Sequence, residues 1–365
     1  MNKYLTERYA FLGKPIKNRK IGLNDIRKTV FKPQYQFLIF GAIMCLVGFL
    51  CTEVKALPYS WQSALATTFA FSIASVGFCL LMGYSGLASL GTGGFIGIGT
   101  YSVHYIMAES GLPLTLALLV ALAIAVVIGM IVGFISLRIE GIYLVILTLG
   151  LSEILRTVFM ALETKINLTS SEALIFGVKL HRSEVIYLVM AALVVVMIIT
   201  YNLINSPTGR AMLAMKNSTS AAQAMGISLI KYRLFAFVIC TAYAALAGVM
   251  LMMVVRSADA SEGTGFYALI TSLNILAAVI IGGYKSIWGA VFGTFIMYGL
   301  QTTLLNEVDF LAENPVIITL ISGVLVIVVV MFFPGGVAQL IQEVKVKIKK
   351  LAKKIKEARY GKDLG

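Results

Sequence analysis

Charge is scarce in this chain. Only 13% of its 365 residues are charged and 59% are hydrophobic, whereas an average soluble domain has about 25% charged residues. That deficit excludes a water-soluble globular domain and implies a polytopic membrane protein, in which apolar runs of about 20 residues read as helices. Period-2 alternation is not sustained anywhere, which excludes a β-barrel. Cysteine is sparse too. The four, Cys45, Cys51, Cys79 and Cys240, fall in or at the ends of apolar runs without CxxC spacing. Neither a disulfide frame nor a metal site is expected from them. Walker A, HExxH and GxSxG patterns are all missing, so nothing here is expected to hydrolyse ATP. Any active transport would have to draw its energy from another chain. Aspartate is absent from the apolar runs, which argues against ion-coupled transport by the chain alone.

Apolar runs are what the chain has instead. Ten can be read, at about 35–52, 60–82, 85–108, 113–137, 140–162, 184–204, 230–255, 266–282, 287–306 and 314–333. The expected fold is therefore all-α, a polytopic helical bundle with about ten transmembrane segments over residues 35–334. Basic residues mark its orientation. Nine of the 30 Lys and Arg fall in residues 1–32 and nine in 343–365. Basic tails on a membrane protein read as topological, not as a nucleic-acid surface, because Lys and Arg stay cytoplasmic. An even span count puts both termini on that side. The connections agree: Arg138, Arg210, Lys216, Lys231, Arg233 and Lys285 face one acid, Glu140, on the cytoplasmic side. Glu53, Glu109, Glu163, Glu172, Glu184, Asp259, Glu262, Glu307, Asp309 and Glu313 outnumber Lys55, Lys165, Lys179, Arg182 and Arg256 outside. No cleavable signal is expected, because the first apolar run starts only near Gln36 after a basic segment, 1–34. The C-terminal tail, 335–365, puts Val337, Leu340, Ile341, Val344 and Ile348 on one helical face opposite lysines. It reads either as a helix lying on membrane lipid or as a solubilising tail.

Three local features carry functional weight. The first is a polar island over 205–230, bounded by long apolar runs. Ser206 can cap a short helix with Pro207 at its first position, and Ser218 can cap a second that ends at Gly226. Ala221, Ala222 and Met225 would share one small, weakly apolar face suited to a groove on a partner. The island also reads as an ordinary structured loop on the membrane surface. The second feature is the glycine-rich third segment, with Ser85, Ser89, Thr92 and Gly93 among its small residues. It permits close helix packing or a bend that lines a translocation pathway. Its spacing misses the nucleotide-binding pattern. Gly93/Gly97, Gly129/Gly133 and Gly289/Gly293 read as GxxxG packing faces. The third feature is Glu153 and Arg156, three apart inside the fifth segment, either an internal ion pair or a polar lining of the pathway. His104 and His181 read as structural or solvated.

Four stretches in order carry a family resemblance: GYSGLASLGTGGFIGIGTY at 83–101, LRIEGIYLVILTLGLSEILR at 137–156, SPTGRAMLAMKNSTSAAQAMGISLIKYRLFAFVICTAYAALAGVM at 206–250 and IGGYKSIWGAVFG at 281–293. Together they resemble the permease subunits of branched-chain amino acid ABC importers. The resemblance implies that the island is a coupling helix docking in a cleft of an ATP-binding subunit. The family's Ala-Ala-x-x-x-Gly pattern falls on Ala221, Ala222 and Gly226, and Gly209, Arg210, Ser220 and Met225 complete the implied ATPase-coupling set. Ser220 stands where the family usually has an acid. ETKINLTSSEALIFG replaces the usual Gly- and Asn-rich external loop, a departure that bears on the solute rather than on the mechanism. ATP and Mg would be bound by the partner ATPase, with no cofactor in this chain. A second homologous permease chain and an extracytoplasmic solute-binding protein or lipoprotein are also implied, in the cell membrane of a prokaryote. Amino acids are the implied solutes; related permeases carry urea or short amides, and distant ones sugars or nucleosides. A self-sufficient secondary transporter or channel, and a membrane enzyme, are the competing classes.

Overall fold

A computed structural model of the chain describes residues 37, 39–42, 59–136, 141–163, 165–168, 174–175, 178–179, 184–260 and 269–304, with isolated positions at 320, 323–324, 327, 331 and 336. The two basic tails, most of the expected first and tenth spans, Arg138, Glu140 and His181 lie outside the described residues.

The described residues are mostly helical. α1 (Tyr59–Leu80) runs on through a π-helical turn, Leu81–Ser85, and α2 (Thr92–Val103) runs on into another, His104–Glu109. Then come α3 (Leu114–Ser136), α4 (Ile142–Leu162), α5 (Val185–Asn205), the short α6 (Pro207–Asn217) and α7 (Thr219–Ala224), and α8 (Leu229–Val255). α9 (Leu269–Gly282) and α10 (Ile287–Thr294) follow, the latter extended by π-helical Phe295–Leu304. Among the described residues, five stretches are long and apolar enough to cross a membrane: Trp61–Ser85, Leu114–Ile135, Tyr143–Leu162, Val185–Asn205 and Leu229–Val255. They coincide with the second, fourth, fifth, sixth and seventh expected spans. The third is interrupted by irregular backbone over 86–91, and the eighth and ninth are shorter apolar helices.

α8 is the central strut. It is buried along most of its length and packs on α1, α2 and α3. Its approach to α2 depends on Gly99 and Gly248: a Cβ on Gly99 would strike the Ala245 carbonyl, and one on Gly248 would strike the Ile96 carbonyl. Backbone contact this close is how helices associate where lipid removes the hydrophobic drive between them. The other glycine pairs also pack. Gly129 and Gly133 meet Thr241 and Leu234 of α8, and Gly293 meets Ala278 of α9. α3 and α4 keep large apolar side chains exposed, among them Leu119, Ile131, Phe134, Tyr143 and Ile154. A water-soluble protein does not carry such faces, and lipid or a second chain would cover them.

Among the described residues four short strands add to the helices, a feature the all-α expectation omits. β1 (Lys165–Asn167) pairs antiparallel with β4 (Ser257–Asp259), placing Ile166 opposite Ala258 with both buried. β2 (Leu174–Ile175) and β3 (Val178–Lys179) pair with each other. Since the 27 residues of α8 start just after α7 and end at β4, the two regions lie roughly 40 Å apart at 1.5 Å per residue. The bundle thus has a loop end, carrying α6 and α7, and a strand end.

Candidate functional site

The loop end is assembled from local capping. Ser206 is extended, and its Oγ accepts the Gly209 N–H at 3.3 Å, with Pro207 in the first helical position. The cap satisfies one donor that the helix cannot, which is worth about 1 kcal/mol. Gly209 is buried in the corner between α5 and α6, where a Cβ would collide with the Leu203 and Ile204 carbonyls. Arg210 is exposed and donates to the Asn205 carbonyl at 3.2 Å. Ser218 caps α7 by accepting the Ala221 N–H at 3.3 Å. α7 then closes in a Schellman motif. Gly226 N–H donates to the Gln223 carbonyl at 2.9 Å and Ile227 N–H to the Ala222 carbonyl at 3.0 Å, the paired bonds that satisfy the last carbonyls of a helix. Gly226 has φ +78° with open space where a Cβ would stand, so backbone conformation alone demands glycine.

The small face divides in two. Ala222 turns into the chain, 3% exposed, while Ser220 and Ala221 face outward and Met225 is 83% exposed. Met212 and Met215 of α6 are buried beneath. What the loop presents is therefore a capped, pre-ordered knob with a methionine at its tip.

Lys216, the last basic residue of α6, ties this knob to the spans. Its Nζ donates to the Met82 and Gly83 carbonyls at 2.9 and 2.8 Å and lies 4.5 Å from the centre of the Tyr284 ring. Burial first, then the neighbouring Lys285 charge, hold the ammonium below the ordinary lysine value of 10.5. Tyr84 in turn donates to the Lys285 carbonyl at 3.2 Å. One side chain thus joins α6, the π-helical end of α1 and the turn between α9 and α10. Sequence reading counted Lys216 only as a topological charge, because nothing local marks its partners.

The break at 86–91 is the second part of the site. Hydroxyls accept two amides at its end and two in the first turn of α2. Leu90 N–H donates to Thr148 Oγ1 at 3.0 Å, Gly91 N–H to Ser89 Oγ at 3.2 Å, Gly93 N–H to Ser272 Oγ at 2.8 Å and Gly94 N–H to Ser152 Oγ at 3.0 Å. Irregular backbone at membrane depth requires such partners. Position along the neighbouring helices gives the depth of the start of α2: 142–152 in α4 and 272–282 in α9 each rise roughly 15 Å from the loop end, half of a hydrocarbon core of roughly 30 Å, while Gly86, at the other end of the break, lies against the Lys216 side chain. Ser85 and Ser89 are buried here, Ser85 donating to the Leu81 carbonyl at 2.6 Å. Thr92, at the first position of α2, is 3% exposed, and its Oγ1 has no hydrogen-bond partner among the described residues.

Glu153 and Arg156 do pair, with Nε to Oε2 at 2.8 Å, and Arg156 also reaches the Ala260 carbonyl at 3.4 Å beside β4. Glu153 directly follows Ser152, and the pair lies on the half of α4 that leads to the strand end. A groove of about 380 Å³ beside the loop is walled by Met130, Phe235 and Val238, with Thr208 and Lys231 among its lining.

Among the described residues, an apolar bundle with an interrupted span and an ordered helical knob at one end marks an integral membrane protein. Residues 61–332 match the family described as the branched-chain amino acid transport system permease component. The chain belongs to that family. It is 28% identical over 259 residues to the high-affinity branched-chain amino acid transport system permease protein LivM of Salmonella typhimurium, covering 63% of this chain and 60% of that protein. LivM of Escherichia coli is 27% identical over the same lengths. The ribose import permease protein RbsC of Haemophilus influenzae is 31% identical over 114 residues, covering 30% and 34% of the two chains. The chain spans about 60% of the length of the LivM relatives. No solved structure matches it.

Proposed function

We propose that this chain is the membrane-spanning permease subunit of a prokaryotic ABC importer that moves a branched-chain or other small amino acid into the cell. The loop end is cytoplasmic, and both termini lie on its side. Ser220, Ala221 and Met225 are the surface that enters a cleft on an ATP-binding subunit. Gly209, Arg210, Ala222 and Gly226 act through the shape of the loop, as corner, surface charge, anchor and stop. ATP and Mg are held by that partner, whose closure pushes on α7. Lys216 carries the push into the end of α1 and the turn between α9 and α10. The solute passes beside the break, where Ser85, Ser89, Thr92 and Gly93 lie, and meets the Thr92 hydroxyl, which has no partner among the described residues. Glu153 and Arg156 hold the outer part of α4. A second, homologous permease chain covers apolar faces such as that of α3. An extracytoplasmic solute-binding protein or lipoprotein delivers solute at the strand end. An acyl chain of an inner-leaflet phospholipid fits the groove beside Thr208.

One observation carries this reading: a chain of this family presents an ordered knob whose tip, Met225, is 83% exposed among the described residues. The test is Met225→Glu in the full complex. Because the side chain is exposed and outside the caps, membrane yield stays at the wild-type level. Losing a docked methionine and burying a charge weakens ATPase association at least about tenfold, read by co-purification across a salt series. Wild-type recovery of the ATPase with the variant refutes the docking surface.

A further inference from the structure

At the strand end, α2 finishes in the π-helical turn His104–Glu109. A π-turn closes between residues i and i+5, which brings position 109 back beside position 104. Glu163, at the end of α4, arrives from the other side. Ligand atoms of His104, Glu109 and Glu163 all lie within 4.8 Å of one another. The sequence gives no hint of this, because the third residue is 54 positions from the second and the spacing matches no metal motif.

The hydrogen bonding around His104 leaves a position to fill. Nδ1 lies 3.2 Å from the Asn167 carbonyl and Nε2 lies 3.0 Å from Glu163 Oε2. A carbonyl can only accept, so Nδ1 must carry the proton. A neutral imidazole then has none on Nε2, and a bare lone pair faces a carboxylate oxygen with a second carboxylate close by. A cation placed among the three donors would meet the imidazole lone pair and both carboxylates. The supporting contacts are those of a ligand set held in place. Asn167 fixes the imidazole through its far nitrogen, as backbone carbonyls do for metal-bound histidine. The Tyr101 hydroxyl donates to the Glu163 backbone carbonyl, and its ring stacks on Phe159 at 4.5 Å. His104 is 9% exposed while Glu109 is open to solvent, so an ion could enter and keep a water.

We propose that His104, Glu109 and Glu163 form a binding site for a divalent transition metal of the zinc class. One imidazole and two carboxylates with an open position are a zinc-like donor set; calcium and magnesium favour oxygen-only cages. The ion ties the end of α2 to the junction of α4 and β1. This inference does not depend on the transport reading. The test is isothermal titration of Zn²⁺ into purified, tag-free, EDTA-treated chain in lipid nanodiscs, with Mg²⁺ as control. One saturable site per chain with micromolar or tighter Kd is expected, absent with Mg²⁺, lost in His104→Ala and weakened at least tenfold in Glu109→Gln. Glu109 is exposed, so that variant remains informative if the histidine variant fails to fold. No saturable Zn²⁺ binding by the wild type overturns the site. So does equal affinity in Glu109→Gln, which marks the ion as adventitious, and so does a metal-free ¹⁵N-histidine spectrum with both nitrogens protonated that Zn²⁺ leaves unchanged.

Discussion

Glu153 and Arg156 show what one residue can and cannot do inside a membrane. Each alone is a charge within a span, which insertion scales place at about 2.5–3.5 kcal/mol at the helix centre. Together, at 2.8 Å on one helical turn, they neutralise each other. Glu153 is partly exposed at the middle of α4, so the coupling is discounted to about 1 kcal/mol. Glu153→Gln and Arg156→Gln should each lower the unfolding midpoint in detergent, and the double substitution should cost less than the sum of the two. Strict additivity in that double-mutant cycle means the charges do not support each other. Residue-scale features of this kind are legible in sequence because both partners lie on one turn. The caps at Ser206 and Ser218, Pro207, and the stop at Gly226 were legible for the same reason: their hydrogen bonds reach only a few residues.

Elements are harder to read, because their partners come from far along the chain. The third segment's glycines announce a weak helix, yet they do not say that the break covers 86–91 or that α2 starts at mid-depth. Those facts rest on Thr148, Ser152 and Ser272, hydroxyls 58 to 179 residues away. The β1–β4 pair escapes sequence reading because three residues are too few to display alternation and their register joins Lys165 to Asp259. The face of α7 was read as one surface, but helical spacing cannot tell which side will meet the chain's own spans, and Ala222 took that side. Lys216 is the element-scale joint. Lys216→Met keeps the aliphatic stem beside Gly86 and deletes the ammonium over Tyr284 and its bonds to the Met82 and Gly83 carbonyls. In the reconstituted complex, solute moved per ATP hydrolysed should fall several-fold while ATPase association and ATP turnover persist. A purely structural lysine would lower assembly, turnover and transport together.

For the whole molecule, the distribution of polar groups divides the labour. Hydroxyls in the interior satisfy a broken span, exposed apolar faces on α3 and α4 await lipid or a second chain, and the ordered polar projection at the loop end is small. Mass, span composition and family were open to the sequence, since 59% hydrophobic content and four ordered motifs need no three-dimensional knowledge. The convergence of His104, Glu109 and Glu163 was not, because it needs a π-turn and the end of a different helix. The proposed account makes this subunit passive: force enters through the knob and reaches the break through α1, α6 and the turn before α10. ATP-driven uptake of labelled leucine in proteoliposomes tests that claim most directly, comparing the complete complex, the complex carrying Met225→Glu, and the chain alone under an imposed Na⁺ or H⁺ gradient. The account predicts uptake only in the first. Unaided uptake by the isolated chain, or undiminished ATP-driven uptake with Met225→Glu, would contradict it.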